Sequence, residues 1–358
     1  MPNWTESMQR TYEYYIVDPG TWGDVKLLTK VKYSSIDWDS DSQTLGSATI
    51  DLDENIGEVY IRIYLVTIQN GVTEKFPLGT FLIQTQPESF DGKSTTYSVD
   101  AYTPLIELKE KYPSIGYFVP EKDNIMNRAY ELTRENLRAP VVKPTCDETL
   151  FSDFIAETED TYIDFLYDLI GNAKYIFALD EMGRVLFKPK QDKASLQPVW
   201  TFNDDNSSIL YPDITRNQDL YGIPNVVEVI YSDGTDNAGG GKLYHVVVRN
   251  DDPDSPTSTV SRGREIHHRV TNPTIIGNPT NDRLKEYAEL LLRELSTIEY
   301  SITYTHGYCP VRVGDCVRLN YTRAGLVNIK AVVTRQNISC TPECPVTETA
   351  VYTSKLWR

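Results

Sequence analysis

Alternation with a period of two, in short runs closed by turn formers, is the feature that most constrains this chain. TYEYYIV (11–17), SATIDLD (47–53), EVYIRIYLVTI (58–68), GTFLIQT (79–85) and TTYSVDAY (95–102) are rich in β-branched and aromatic residues. Successive side chains of a strand point to opposite faces, so such runs fit half-buried strands. Asp18-Pro19-Gly20, Gln69-Asn70-Gly71 and Asp91-Gly92 punctuate them. Asn-Gly between two long strands is a hairpin signal. Five or more strands within residues 1–105 predict a small antiparallel barrel or sandwich. The 24 tyrosines against 10 phenylalanines agree, because a Tyr ring can be buried while its hydroxyl stays wet.

After Pro104 the period changes. LIELKEKY (105–112) and NIMNRAYELTREN (124–136) have helical spacing, with Asp123 placed to cap the second. TYIDFLYDLIGNA (161–173) carries a stripe of Ile163, Leu166, Tyr167 and Ile170, with Gly171 as its stop. A hairpin is expected around Glu181-Met182-Gly183. NVVEVIYSD (225–233) and LYHVVVRN (243–250) read as strands, and Gly239-Gly240-Gly241 as part of a flexible connection. A second strong helix is expected at 281–295, with Leu284, Tyr287, Ala288, Leu291 and Leu295 on its apolar face. Strands return at 296–307, 316–322, 328–340 and 347–358. The expected fold is therefore mainly β with α/β inserts, built on two small antiparallel β-barrels. The first barrel spans 1–105, followed by an α/β insert at 106–215. The second barrel is discontinuous, 216–234 with 300–358, and encloses a second insert at 235–299.

Charge narrows the function. Residues 1–240 hold 20 Lys+Arg and 39 Asp+Glu, a net of −19; residues 241–358 hold 15 and 12, a net of +3. Gripping nucleic acid needs cations to displace counterions, so this balance argues against it. It suits solubility, a basic partner, or a surface past which DNA slides. No apolar run is long enough to span a membrane. The first 15 residues lack the apolar region of a secretory signal.

Motifs for chemistry fail one by one. No P-loop, G-x-S-x-G, H-E-x-x-H or dinucleotide fingerprint occurs. Asp37-x-Asp39-x-Asp41 opens like a calcium loop, but Ser42 and Ala48 stand where Gly and Glu are needed. His267 and His268 are adjacent, so on a strand they face opposite ways. No catalytic, cofactor or metal-ligating residue is assigned, and an enzyme is not expected. Cys309, Cys316, Cys340 and Cys344 follow a C-x6-C, C-x3-C pattern that departs from zinc knuckles. Free thiols, one or two disulfides and zinc remain open; we expect free thiols in a structural role.

The segment YTHGYCPVRVGDCVRLN (304–320) resembles the closing barrel of phage tail hub proteins, with Gly314-Asp315 as its turn. KAVVTRQNISC (330–340) and the last strand through Trp357 continue that pattern. PLGTFLIQT (77–85) with YSVDAYTPLIEL (97–108) resembles the end of a first hub barrel, and LYGIPNVVEVIYSD (220–233) a strand re-entering the second. The order of these stretches carries the resemblance. The four late cysteines are not expected of that family. The resemblance implies a homotrimer in which two barrels per chain form a pseudo-sixfold ring. That ring joins the tail tube, or a distal tail protein, to a threefold spike or tip. It also implies inserts that contact other baseplate proteins, a lumen that DNA passes without specific binding, assembly in the host cytoplasm and a working place in the virion. Two other classes stand beside it: a tail-tip receptor- or glycan-binding protein, and a tail-associated peptidoglycan hydrolase. We expect no room for a hydrolase domain after the closing barrel.

Overall fold

A computed structural model of the chain describes residues 2–191, 195–205, 208–232, 242–273 and 280–355. Gly239-Gly240-Gly241 and Trp357 lie outside the described residues. The chain is mainly β, and its sheets are mostly antiparallel. In order, the strands of the first hundred residues are β1 (Gln9–Val17), β2 (Asp24–Leu28), β3 (Val31–Asp39), β4 (Gly46–Leu52), β5 (Tyr60–Gln69), β6 (Val72–Thr85), β7 (Glu88–Phe90) and β8 (Thr95–Tyr102). An α/β region follows with helices α1 (Ile106–Lys109), α2 (Ile125–Asn136) and α3 (Tyr162–Asn172). Its strands pair as β9 (Phe118–Val119) with β10 (Phe154–Ile155), and β11 (Tyr175–Leu179) with β12 (Val185–Pro189). Then come β13 (Trp200–Asn203), β14 (Leu210–Asp219), β15 (Val226–Ser232), β16 (Leu243–Arg249), α4 (Thr259–Arg262), β17 (His267–Thr271) and α5 (Asn281–Leu295). The last strands are β18 (Thr297–Gly307), β19 (Cys316–Tyr321), β20 (Leu326–Ser339) and β21 (Pro345–Lys355).

Contacts divide the chain into two compact units. Unit 1 is Met1–Ile214 with Thr303–Ala350, and unit 2 is Thr215–Ile302 with Val351–Arg358. The large sheet of unit 1 runs β2-β1-β5-β6-β8-β4-β3-β20-β21-β18-β14, with β7 on β8, β19 on β20 and β13 on β19. The early and late strands thus belong to one sheet, joined where Ser35–Asp39 pairs with Arg335–Ser339. Asn337 Nδ2 donates to Asp37 Oδ1 at 2.6 Å there, and Arg335 lies 3.1 Å from Asp39. The Asp37–Asp41 acids are therefore engaged across the strand junction. Asn70 and Gly71 join β5 to β6 with φ of 52° and 77°; both are left-handed, as a two-residue hairpin turn matched to strand twist requires.

The helices of unit 1 follow the expected spacing, but α1 ends at Lys109, short of the expected residue 112, and α2 and α3 differ at their ends. The side chain of Asn124, not Asp123, caps α2 by accepting from Asn127 N–H; Asp123 instead pairs with Arg128 at 3.1 Å. Thr161 and Asp164 form a reciprocal capping box on α3. Gly171 lies inside α3, and the left-handed residue that ends it is Lys174, with φ of 58°. Ile125, Met126, Ala129, Ile163, Leu166, Ile170, Phe177 and Val185 bury together as the core of this region.

In unit 2, α5 lays Leu284, Ala288 and Leu292 on Val227, Val229 and Val248, with Tyr287, Leu291 and Leu295 at the edge of the cluster. β15, expected to enter the closing barrel, pairs instead with β16 and β17 in a separate three-stranded sheet. Its valines explain the difference: as the central strand it needs partners on both sides and an apolar cover, and α5 supplies the cover.

Candidate functional site

The residues singled out from the sequence gather in the closing part of unit 1. Gly314 has φ of 93°, a value that favours glycine. Asp315 Oδ2 accepts from Arg312 N–H at 3.0 Å, and Asp315 N–H donates to the Arg312 carbonyl at 3.0 Å. The turn is bonded to β20: Gly314 N–H donates to Val333 O at 2.8 Å and Val333 N–H to Asp315 O at 2.9 Å. Burial raises the Asp315 carboxyl above its ordinary range, against the pull of Arg312.

All five cysteines are free thiols, and Cys309, Cys316, Cys340 and Cys344 are buried. Cys309 Sγ lies 3.8 Å from His306 Nδ1. Cys340 and Cys344 bracket the β20–β21 turn, Cys340 beside Ser34 and Cys344 beside Tyr12. Burial pushes the Cys340 thiol up to about 12 and that of Cys344 to about 11. The structure therefore brings Cys309 to a histidine, Cys340 to Ser34 and Cys344 to Tyr12, and leaves all four unbridged. Among the described residues no group of three or more His, Cys, Asp and Glu is placed to hold a metal.

Beside these residues lies a polar centre that the sequence reading missed. Glu348 and His306 are both fully buried. Tyr304 Oη donates to Glu348 Oε2 at 2.6 Å, and Gln336 Nε2 donates to Glu348 Oε1 at 2.7 Å and to Val311 O at 2.8 Å. His306 Nδ1 lies 2.7 Å from the Gly307 carbonyl; a carbonyl only accepts, so Nδ1 is the donor. Nε2 stands 3.3 Å from Glu348 Oε1, misaligned for a hydrogen bond. Phe202 covers the imidazole at 4.6 Å. Burial and the adjoining carboxylate hold the Tyr304 hydroxyl far above its usual range. Side chains from β18 and β20 thus converge on one carboxylate of β21.

A second buried ion organises the other side of the unit. Arg62 on β5 is almost wholly buried. It donates to Asp24 Oδ1 at 2.7 Å, Thr80 Oγ1 at 2.9 Å, Met182 O at 3.1 Å and Trp22 O at 3.2 Å. Trp22 Nε1 also donates to Met182 O at 2.7 Å. Gly183 closes the β11–β12 turn with φ of 76°, and a Cβ there would stand 2.7 Å from Thr80 Cβ. Arg312 pairs with Glu181 on the same turn. The tip of this hairpin is therefore seated on β2, β5 and β6 and tied to the Arg312 loop. Nearby, Glu107 accepts from Tyr60 Oη at 2.8 Å and Arg138 Nε at 2.5 Å, beside a shallow groove of about 300 Å³. The carboxylates of these centres are filled by donors, an arrangement that organises strands and loops.

The fold is one shared with phage tail proteins. The tail protein from Neisseria meningitidis MC58 superposes with a TM-score of 0.64 at 14% identity, over 97% of this chain and 98% of that one. The 43 kDa tail protein of prophage MuSo2 from Shewanella oneidensis gives 0.61 at 12% identity, over 95% and 98%. The prophage tail protein gp18 from Listeria monocytogenes EGD-e gives 0.50 at 10% identity, over 94% of each chain. No family model and no curated protein matches the sequence. No helix among the described residues is long and apolar enough to cross a membrane.

Proposed function

We propose that this chain is a structural, non-enzymatic hub of a phage tail or baseplate. Three copies form a pseudo-sixfold ring that joins the tail tube to a threefold spike or tip and surrounds the DNA channel. The observation that carries this reading is the end-to-end likeness in fold to the Neisseria tail protein, TM-score 0.64 over 97% of the chain. Each copy contributes two tube-like sets of strands, one from 1–105 and one built around 300–358. The ranges 106–215 and 235–299 stand as inserts that contact other baseplate proteins. The structural candidates Gly314, Asp315, Cys309, Cys316, Cys340 and Cys344 keep the second set in shape. The particle works at the tail tip of the virion after assembly in the host cytoplasm. DNA passes the lumen without specific binding, in keeping with the net charge of −16.

Solution mass and electron micrographs of the purified chain test the proposal. A trimer with a ring-shaped projection is expected; a strictly monomeric particle inside an assembled tail would sink it. Release of cell-wall fragments by the purified chain would favour the hydrolase reading instead, and selective glycan binding the receptor reading.

A further inference from the structure

Unit 1 carries two patches that its own residues leave unfinished. The short pair β9–β10 turns Val119 and Phe154 into the insert, where the Phe154 ring lies 5.2 Å from that of Phe165. The alternate positions, Phe118 and Ile155, are directly opposite each other and 50% and 63% exposed. Asp153 and Glu157 flank Ile155, two positions to either side. Both are exposed, and neither has a cationic partner among the described residues. Asp153 Oδ1 accepts from Glu121 N–H at 2.8 Å, but no cation offsets either charge; a paired apolar knob rimmed by such carboxylates seeks an apolar cover with cations at its margin. A symmetric contact of this patch with itself is excluded, because it would crowd four like charges.

The complementary pattern lies on β19 and β20. Arg318 stands directly across from Lys330, and like charges facing each other across a strand pair are unfavourable. Neither has a carboxylate partner among the described residues, and Arg318 Nε is buried without a hydrogen-bond acceptor. Val327, on the same strand as Lys330, is 58% exposed. In a chain of net charge −16, an uncompensated cation pair calls for an incoming carboxylate.

We propose that the Phe118–Ile155 knob of one copy, with Asp153 and Glu157, docks on Arg318, Lys330 and Val327 of a second copy. The two sides of this contact are different surfaces, so it is head-to-tail and propagates around a ring. The inference rests on the reading of the chain as a ring-forming hub and names the contact that closes the ring. The Arg318–Lys330 pair gains the counter-charge it lacks, and the cross-strand repulsion is relieved by charge-assisted hydrogen bonds.

The full chain is weighed in solution by light scattering beside D153K/E157K, R318E/K330E and the variant carrying all four substitutions. The expected result is a trimer for the unaltered chain, a monomer for each reversed pair, and a trimer again for the fourfold variant. That restoration separates loss of contact from loss of folding. A trimeric unaltered chain whose reversed pairs stay trimeric overturns this interface and leaves the hub reading standing. Reversed pairs that become monomeric without rescue by the fourfold variant overturn the pairing of these two patches. An unaltered chain that is monomeric at every concentration overturns both the interface and the hub reading.

Discussion

Arg62 and Glu348 are buried ions of the same unit, yet they are satisfied in different ways. Arg62 spreads its donors over two backbone carbonyls, a hydroxyl and Asp24, whose side chain is 25% exposed. Its counter-charge therefore keeps contact with water. Glu348 has no such outlet: its donors Tyr304 and Gln336, and the neighbouring His306, are all buried. A cation that collects carbonyls clamps segments together from outside a core. A carboxylate that collects side-chain donors from two neighbouring strands is part of the core, and losing it strands every partner at once.

The largest effect should therefore come from Glu348→Ala, at about 3–5 kcal/mol of unfolding free energy, the range for removing one partner of a buried ionic group. Chemical denaturation reads it. Glu348→Gln, which keeps an acceptor, should recover part of the loss; equal losses would show that hydrogen bonding to Tyr304 and Gln336 is not what the carboxylate contributes. Arg62→Met should cost less, about 1–3 kcal/mol, because carbonyls lose a donor while Asp24 stays wet. Faster proteolysis within residues 180–184 should accompany it. A cost above that of Glu348→Ala would invert the comparison.

Asp315→Asn should have a smaller effect of opposite sign. Burial raises the Asp315 carboxyl above its unfolded value, so the ionised form works against the fold at neutral pH. Asparagine keeps the oxygen that accepts from Arg312 N–H and removes the charge. The variant should melt slightly higher at pH 7, and the gap should close as pH falls through the raised value and Asp315 takes up its proton. A gap that widens toward acid would contradict this sign. The dryness around Glu348 also predicts thiol behaviour without any stability change. In the native chain only the partly exposed Cys146 should react with an alkylating reagent, and all five should react after denaturation. Rapid native labelling of Cys340 or Cys344 would show that the closing region is not sealed.

The elements most legible in the sequence were those with one wet face. β8 stands at its expected residues, the Asn70-Gly71 hairpin is where turn chemistry places it, and α3 is where its apolar stripe does. β3 escaped notice because only Ser34 and Ile36 of its nine residues are buried. Arg62 was hidden for the opposite reason: Tyr60 through Thr67 are all buried, so alternation says nothing about which face carries a charge. The Glu348 centre did leave a trace. Val346, Glu348 and Ala350 share one buried phase of β21, as Ile302, Tyr304 and His306 do on β18. A charged residue in the apolar phase of an alternating strand marks a buried partner. Residue types do not identify that partner when, like Tyr304, it lies 44 positions away and reaches its site only through tertiary pairing.

The β3–β20 junction also sets a timetable. Asp37 and Asn337 meet across 300 positions of chain. On the ribosome, at roughly 5–20 residues per second, β3 is finished some tens of seconds before its partner emerges. Throughout that interval one of its edges offers unpaired N–H and C=O groups to any passing strand. Lys32, Asp37 and Asp39 on β3 then act as a guard on an unfinished protein. Asp37 and Asp39, which bond to Asn337 and Arg335 in the completed sheet, are during synthesis charges that discourage neighbouring nascent chains from pairing there.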